Sequence, residues 1–582
     1  MVIAFIAFAG GCIDSGNDSS SSNASGDSGD SGDSGDPGDT GDSGDSGDPG
    51  DTGDSGDSGD SDDGSSDASS IDTSRYAVSY AETAATYDPE DVLDNITFDD
   101  VIEIDFTENT ARLSSETAQE ITSGGVTPLA VGSGSVIVAA TQYGITISSD
   151  LDATIRYNLS GELDGTLSVE SDADYQLYLD GVTIIGSAGP ALDLQSSEKV
   201  FIVTAPDTTN VLMDSATRSM TMKAALYGKG PMVFSGEGVL TVTGSYKHGI
   251  FSKDYIRVRS GELDVAVSAK DAVRSTNGFI FDDGDLTINA AGTVTDDESK
   301  GIKVEGEESA DGAGKGYVVI NGGYLDITSV DKAITAGWDI DDDAETGTTS
   351  DDPSPHVEIN NGVITITTTG TPYEYQVDGE TVSCSPEGIE GKSDLTINSG
   401  YLIVDATDDG LNAGDSITIN GGYLYCASSH NDAIDSNGSL TITGGVIVAI
   451  GASAPEGAFD CDQNTFAVTG GTIVGIGGAL SRPTTAACTQ NVVTLGRGTK
   501  GSTLGIKAGD GTVAFAFTIP QSYAKMLLSS PDINTGTQYT VYTGGTATGD
   551  DTFYGLYLEN LSYSQGTAGR SFTVSSRVTN VD

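Results

Sequence analysis

Three successive segments decide the fold of this chain: LTINSGYLIVDATDDGLNAGDS (395–416), ITINGGYLYCASSHNDAIDSNGS (417–439) and LTITGGVIVAIGASAPEGAFDCDQNT (440–465). Each has a short strand, a glycine-containing turn, a second strand and a small acidic turn. The equivalent residues Ile397, Ile419 and Ile442 are therefore 22 and 23 residues apart. A period of this length, built from β-branched strands without helix-period segments, predicts a β-solenoid whose coils stack about 4.8 Å apart.

Alternation along the second strand of each repeat assigns its side chains to two faces. Two aliphatic columns are predicted to point inward: Leu402, Leu424, Ile447 and Ile364, then Val404, Cys426, Ala449 and Ile366. The preceding column should face outward: Tyr324, Val363, Tyr401, Tyr423, Val446 and Thr472. A further column at the turn predicts a hydrogen-bonded asparagine ladder: Asn321, Asn360, Asn398 and Asn420.

Composition and period divide the chain into five segments: a lipoprotein-type signal (1–12), a disordered acidic linker (13–75), a cap with the first coils (76–240), regular coils (241–485) and a small separate β domain (486–582). The apolar run before Cys12 resembles a lipoprotein signal, which implies a lipid on that cysteine and an extracellular, membrane-anchored protein; an ordinary export signal is the alternative. Gly-Asp-X triplets with few prolines and no cations favour an extended tether over a collagen helix.

The charge balance excludes some partners. The chain has 88 acidic and 25 basic residues, for a net charge of −63. The linker holds 18 of the aspartates, so about −45 remains on the rest. Nucleic acid and anionic lipid surfaces need a basic footprint, and unaided binding to either is therefore not expected.

The acidic turns of the three repeats fall in register and predict a metal site. The candidate ligands are Asp408, Asp409, Asn431, Asp432, Asp435, Glu456 and Asp460. Carboxylates stacked at the strand spacing repel one another unless a proton or a cation lies between them. Ca²⁺ accepts six to eight oxygen ligands, so these turns favour Ca²⁺. The alternative is a solvated acidic edge.

Earlier coils place lysines at the same corner, and we expect Lys300, Lys303 and Lys332 to pair with the acidic residues of those turns; the alternative is that they receive a ligand carboxylate. A second candidate site for sugar binding is the outward strip of Tyr401, Tyr423 and Tyr425. These rings could stack on sugar rings or simply pack against neighbouring strands.

The chain resembles an extracellular carbohydrate-binding family of right-handed parallel β-helices. The resemblance lies in the order of three features: YQLYLDGVTIIGSAGPALDLQSSEKVFIV (175–203), AALYGKGPMVFSGEGVLTVTGSYKHGIFSKD (224–254) and then the repeats. The resemblance covers roughly 140–580. It implies binding of cellulose or acidic plant cell-wall polysaccharide with bound Ca²⁺, and similarity to polysaccharide lyase family nine. Asp409, Asp432 and Asp435 resemble the acidic calcium-binding pattern of those lyases, with Asn431 in place of one acid.

Three functions stay open at this point. The leading one is a surface-anchored carbohydrate-binding protein; the others are a calcium-dependent pectate-type lyase and a structural or adhesive protein without a specific glycan. The lyase is disfavoured because the related enzymes use a lysine base beyond the calcium site. No lysine lies between Lys392 and Lys500, where Arg482 is the only cation. No catalytic residue is therefore assigned.

Overall fold

A computed structural model describes residues 72–77, 88–292, 299–307, 316–339, 355–377 and 380–581. The predicted signal, with Cys12, and almost all of the predicted linker lie outside these residues. The described residues form 52 strands and three short 3₁₀ helices, Thr73–Tyr76, Pro89–Asp91 and Leu93–Asn95. None of these helices has the length or apolar character needed to cross a bilayer. The prediction of an all-β chain is confirmed.

The strands of the repeats form three parallel ladders. The first ladder belongs to a 28-stranded sheet and contains Asp100–Asp105, Val200–Thr204, Met232–Gly236, Tyr255–Val258, Gly278–Phe281, Tyr317–Ile320, His356–Ile359, Asp394–Ile397, Ser416–Ile419, Ser439–Ile442 and Phe466–Val468. Thr110–Leu113 and Gln119–Glu120 extend it antiparallel at its N-terminal end.

The second ladder belongs to the same sheet and contains Thr209–Asp214, Val239–Gly244, Glu262–Val267, Asp285–Ala290, Tyr324–Ser329, Val363–Thr368, Tyr401–Ala406, Tyr423–Ser428, Val446–Ile450 and Thr472–Gly477. Two long strands, Ile155–Asp164 and Tyr175–Gly186, run through both ladders and join them.

The third ladder is a separate 14-stranded sheet. It contains Val126–Val131, Gly134–Thr141, Gly144–Ser149, Thr166–Ser171, Leu192–Leu194, Ala224–Gly228, His248–Ser252, Val273–Ser275, Ile302–Glu307, Ile334–Asp339, Ile389–Gly391, Leu411–Ala413, Ile434–Ser436 and Phe459–Asp460. Its first three strands pair antiparallel. Each repeat visits the first, second and third ladders in turn.

The hydrophobic core lies between the ladders. Ile397, Leu402 and Leu411, one from each ladder, are completely buried in the same cluster. All eight side chains predicted to point inward are at most 1% exposed, which confirms the alternation. Between the first two ladders a glycine is required: Gly422 has φ 83°, and a Cβ there would lie 2.6 Å from the Gly400 carbonyl oxygen.

The predicted asparagine ladder is confirmed. The Asn360, Asn398 and Asn420 side-chain amides each donate to the asparagine one repeat earlier, at 2.9, 2.8 and 2.9 Å. Asn321 begins the ladder by donating to Asp282, and Thr443 ends it by donating to Asn420. The ladder thus links six successive repeats through side-chain hydrogen bonds, in addition to the backbone pairing of their strands.

Replacing Asn398 with Ala is expected to lower the free energy of unfolding by about 1–3 kcal/mol, because it leaves the Asn360 oxygen and the Asn420 amide without their partners. Chemical denaturation measures this loss. Gln142→Ala, at an exposed position, is the matched control. Equal stability of the two variants would contradict a stabilising role for the ladder.

The C-terminal segment is not the separate domain that the sequence predicts. Val492–Leu495, Lys525–Ser529 and Val578–Asn580 continue the 28-stranded sheet. A six-stranded antiparallel sheet is formed by Thr503–Ala508, Val513–Thr518, Gln538–Thr543, Asp551–Phe553, Leu556–Leu558 and Thr567–Thr573. Its apolar residues pack with Val448 and Val474 of the second ladder, so both share one core.

The remaining strands form two pairs, Tyr373–Val377 with Glu380–Cys384 and Thr546–Thr548 with Ser562–Ser564. The four described cysteines, Cys384, Cys426, Cys461 and Cys488, are buried and form no disulfide with one another. Cys426 points into the core, as predicted, and its thiol contacts the Ala433 carbonyl oxygen at 3.0 Å.

Candidate functional site

The third ladder carries the predicted acidic turns and brings their carboxylates together. In its last three strands Leu411, Ile434 and Phe459 point into the core. The following residue of each strand therefore points outward. Backbone pairing puts Asn412 beside Asp435 and Asp435 beside Asp460, so the predicted shared column of the two aspartates is confirmed.

A second acidic column precedes these strands. The Asp432 backbone N–H donates to the Asp409 carboxylate at 3.0 Å, and the Gly457 backbone N–H donates to the Asp432 carboxylate at 2.5 Å. At the turn itself, the Asn431 amide donates to the Asp408 carboxylate at 2.9 Å. The side chains of Asp409 and Asp432 are therefore fixed by the neighbouring repeats and do not move freely in solvent.

Three carboxylates converge at this corner. Oxygens of Asp432, Asp435 and Asp460 all lie within 4.8 Å of one another. Asp460 also accepts hydrogen bonds from the Ser481 hydroxyl and, at 2.7 Å, the Cys461 backbone N–H. We call these three aspartates the acidic cluster. Asp408, Asn431 and Glu456 flank the cluster.

Burial and mutual repulsion raise the pKa values of this region. Burial, then the charges of Asp432 and Asp460, raise the pKa of Asp435 to about 8. Burial raises the pKa of Asp432 to about 7 against the opposing hydrogen bond from Gly457. The pKa of Asp409 lies well above its usual value, first from burial and then from the Glu387 and Asp435 charges. A divalent cation at this corner would replace the protons that these groups otherwise retain near neutral pH.

Glu387 is a residue of this region that the sequence analysis did not include among the ligands. It occupies the position of Asp409 one repeat earlier, since the pairing sets Ile389 beside Leu411. Its Oε1 accepts from Lys332 and from the Asn412 amide at 3.2 Å, whereas its buried Oε2 has no partner among the described residues. The matching pattern of Glu387-Gly388-Ile389-Glu390 and Asp409-Gly410-Leu411-Asn412 was the available signal.

The lysines of the earlier repeats are paired as predicted. Lys300 lies 2.8 Å from Asp331, and Lys303 lies 3.1 Å from Glu305. Lys332 lies 2.8 Å from Glu387 Oε1 and 3.2 Å from Glu390 Oε1. Burial raises the pKa of Glu387 to about 7 despite Lys332, whereas for Glu390 the charges of Lys332 and Lys392 outweigh burial and lower the pKa. Each of the three lysines therefore has at least one carboxylate partner.

The tyrosine strip proposed for sugar stacking is covered by other aromatic rings. Phe553 packs edge-on against Tyr401 and Tyr423, with ring centroids 5.7 and 5.4 Å apart. Tyr554 stacks on Tyr425 at 3.8 Å. All three tyrosines are half-buried against the C-terminal core, so a sugar could stack on them only after Phe553 and Tyr554 had moved. The stacking interpretation is therefore corrected to packing between two sheets.

Known proteins resemble this chain over part of its length. A family described as carbohydrate-binding domain-containing protein matches residues 141–433, just over half of the chain. A protein of that description from Acetivibrio thermocellus is 28% identical over 118 residues, which cover 19% of this chain and 41% of the relative. A solved structure of the polysaccharide lyase-like protein from C. thermocellum, in a gadolinium derivative, has 19% identity and a TM-score of 0.30 and covers 46% of this chain and 94% of its own.

Proposed function

We propose that this chain, which belongs to the family of carbohydrate-binding domain-containing proteins, binds an acidic or cellulosic polysaccharide and holds Ca²⁺ in its acidic cluster. The observation that carries the calcium proposal is the convergence of three carboxylates within 4.8 Å. Asp409 and Glu387, one and two repeats earlier, extend the oxygen-rich surface along the ladder.

The donor set suits Ca²⁺. Its oxygen ligands are carboxylates from adjacent repeats, with no thiolate or imidazole among them, which is the preference of a hard cation. Bound Ca²⁺ supplies positive charge at a corner that otherwise repels anions. Asp432, Asp435 and Asp460 would hold the ion from the protein side, and carboxylates of an acidic glycan would complete its coordination.

The finer architecture and the cellular location are also proposals. Three ladders visited in constant order by repeats of 22–23 residues support a right-handed parallel β-helix, which an experimental structure with traced handedness would test. The AGGC sequence at 9–12 supports an extracellular protein anchored by a lipid on Cys12. Mass spectrometry of the N-terminal peptide would detect that lipid, and Cys12→Ser should abolish it.

Affinity electrophoresis tests the binding function directly. The purified chain is run through gels containing polygalacturonate, or incubated with insoluble cellulose, in excess Ca²⁺ and in chelator at about physiological ionic strength. We expect retention by polygalacturonate in Ca²⁺ and its loss in chelator. Asp432→Asn with Asp435→Asn should lose the same retention, whereas the exposed pair Asp152→Asn with Asp172→Asn, which removes equal charge, should keep it.

Each other outcome has a defined meaning. Retention that is identical in chelator and in the double variant would contradict the calcium site. Absorbance from unsaturated products would show a lyase and overturn the non-enzymatic function. Absence of retention on both glycans, and on an array of others, would favour a structural or adhesive surface protein.

A further inference from the structure

A small cavity lies at the N-terminal end of the third ladder. It has a volume of about 250 Å³ and is bounded by turns that include residues 141–144, 163–165 and 187–188. The buried residues Ile121 and Ile145 contribute apolar groups to its lining. The cavity therefore combines a concave shape with a partly apolar lining, as small-molecule sites do.

The backbone holds two of these turns in close contact. The Tyr143 carbonyl accepts from the Thr166 backbone N–H at 2.7 Å. Gly165 has φ 147°, and a Cβ there would lie 2.8 Å from the same Tyr143 carbonyl oxygen. Glycine permits this approach because it has no side chain. Asp164, which precedes Gly165, is thereby fixed close to Tyr143.

The remaining parts of the lining are fixed in the same way. Asp164 pairs with Ile185 in parallel strands, and the Ser187 backbone N–H donates to the Ile185 carbonyl at 2.9 Å. The Asn109 side-chain amide donates to the Ile121 carbonyl. The polar groups of the cavity are thus held in position by the fold.

Three polar side chains at the cavity are available to a ligand. Gln142, Asp164 and Ser187 are exposed, and their side chains form no hydrogen bond or ion pair within the part of the chain that the structure describes. They offer an amide, a carboxylate and a hydroxyl group, which between them donate and accept hydrogen bonds. This is the complement that the hydroxyl groups of a ligand require.

Tyr143 adds an aromatic ring to the cavity. The residue is 42% exposed, and no other described ring packs on it, in contrast to the covered tyrosine strip. A sugar ring has an apolar face of C–H groups and an edge of hydroxyl groups. A tyrosine can cover the face while neighbouring polar groups bind the edge.

Charge narrows the class of sugar. Asp164 is the one charged residue among the described residues that line the cavity. An acidic sugar would therefore meet a carboxylate without a compensating cation. An uncharged sugar avoids this repulsion, and its hydroxyl groups can donate charge-assisted hydrogen bonds to Asp164.

We propose that this cavity binds one uncharged hexose unit of a polysaccharide. Tyr143 stacks on the sugar ring, Asp164 accepts hydrogen bonds from its hydroxyl groups, and Gln142 and Ser187 complete the polar contacts. The proposal rests on the carbohydrate-binding function and gives the neutral sugar a site separate from the acidic cluster. The small volume suits a single ring, with the rest of the polymer outside the cavity.

The cavity and the acidic cluster lie far apart along the third ladder. Ten ladder steps separate Thr166–Ser171, which follows Asp164, from Phe459–Asp460. At about 4.8 Å per step, this separation is about 48 Å. Substitutions at one site should not disturb the other, so the two can be tested independently.

Calorimetric titration of the full-length chain with cellohexaose and with mannohexaose, both uncharged, tests the proposal. We expect at least one of them to bind in chelator. The affinity should be unchanged by Ca²⁺, or by salt between about 20 and about 200 mM, because the ligand carries no charge. Tyr143→Ala should lower the affinity about tenfold.

Matched variants control for the loss of an exposed side chain. Tyr324→Ala removes a tyrosine that is 44% exposed on the second ladder and should leave the affinity unchanged. Tyr143→Phe keeps the ring and should retain most of the affinity. Asp164→Ala should also lose about tenfold, whereas Asp152→Ala, at another exposed position, should not.

The outcomes separate this proposal from the proposed function. Equal affinities of Tyr143→Ala and Tyr324→Ala would overturn the cavity as the site. Loss of hexasaccharide binding in Asp432→Asn with Asp435→Asn would place the neutral sugar at the acidic cluster instead. If the parent chain binds neither hexasaccharide but keeps its calcium-dependent retention by polygalacturonate, this proposal alone fails. If it binds neither the hexasaccharides nor polygalacturonate, the proposed function fails as well.

Discussion

Lys332→Met is expected to lower the free energy of unfolding by about 3–5 kcal/mol. Lys332 and its two partners, Glu387 and Glu390, are each no more than 5% exposed. Its ammonium group lies 2.8 and 3.2 Å from their carboxylates. Without it, two buried acids lose their shared cation, and protonation of Glu387 can relieve only part of the repulsion. Denaturant unfolding at neutral pH measures the loss.

Two controls separate charge from packing in this prediction. Lys332→Arg keeps the cation and should retain most of the stability. Lys500→Met places the same side chain at an exposed position and should change stability by less than about 0.5 kcal/mol. A loss from Lys332→Met that is no larger than the loss from Lys500→Met would mean that the buried carboxylates are already neutral in the parent protein.

The repeat pattern was sufficient to predict the ladders because its information is local. A period near 22 residues sets which residues stack, and alternation sets which of them face the core. The asparagine ladder and the Asp435–Asp460 column follow from these two rules alone, since each position needs only its equivalent one repeat away. The pairing of Lys332 with acids of the adjacent turns follows from the same register.

The covering of Tyr401 and Tyr423 was not predictable from the same rules. Alternation states that a side chain points away from one core, but not whether a second layer covers it. Phe553 reaches both rings from more than 120 residues further along the chain, and no periodic signal connects the two segments. The same limit explains why the C-terminal segment looked separate although its strands continue the 28-stranded sheet.

Glu387 lies at the same corner of an earlier repeat, but the sequence analysis did not count it among the metal ligands, because the period is interrupted just before it. The paired strands Tyr373–Val377 and Glu380–Cys384 lie between the second-ladder strand Val363–Thr368 and the third-ladder strand Ile389–Gly391. This insertion lengthens one repeat and hides its register with the next. The backbone pairing of Ile389 with Leu411 shows that Glu387 precedes Asp409 in one column.

In the absence of Ca²⁺ the protein is expected to become less stable as the pH rises from about 5.5 to about 8.5. Unfolded aspartates ionise near pH 4, whereas the pKa values of Asp432 and Asp435 in the folded chain are about 7 and about 8. The folded state therefore binds more protons over this window, and the free energy of unfolding falls as those protons leave. The fall should be on the order of a few kcal/mol and be complete above the folded pKa values.

Calcium should reverse this dependence, because a bound cation takes the place of the departing protons. At pH 8.5, Ca²⁺ should raise the melting temperature strongly; at pH 5.5, where protons compete, it should have little effect. Asp432→Asn with Asp435→Asn should remove the calcium effect and weaken the pH dependence over this window, leaving the part that comes from Asp409 and Glu387, whereas Asp152→Asn with Asp172→Asn should preserve both. Thermal scans at the two pH values, with Ca²⁺ and with chelator, measure all four conditions. If the Asp432/Asp435 variant keeps the calcium-dependent rise, the ion binds outside the acidic cluster, and the raised pKa values there have a purely structural origin.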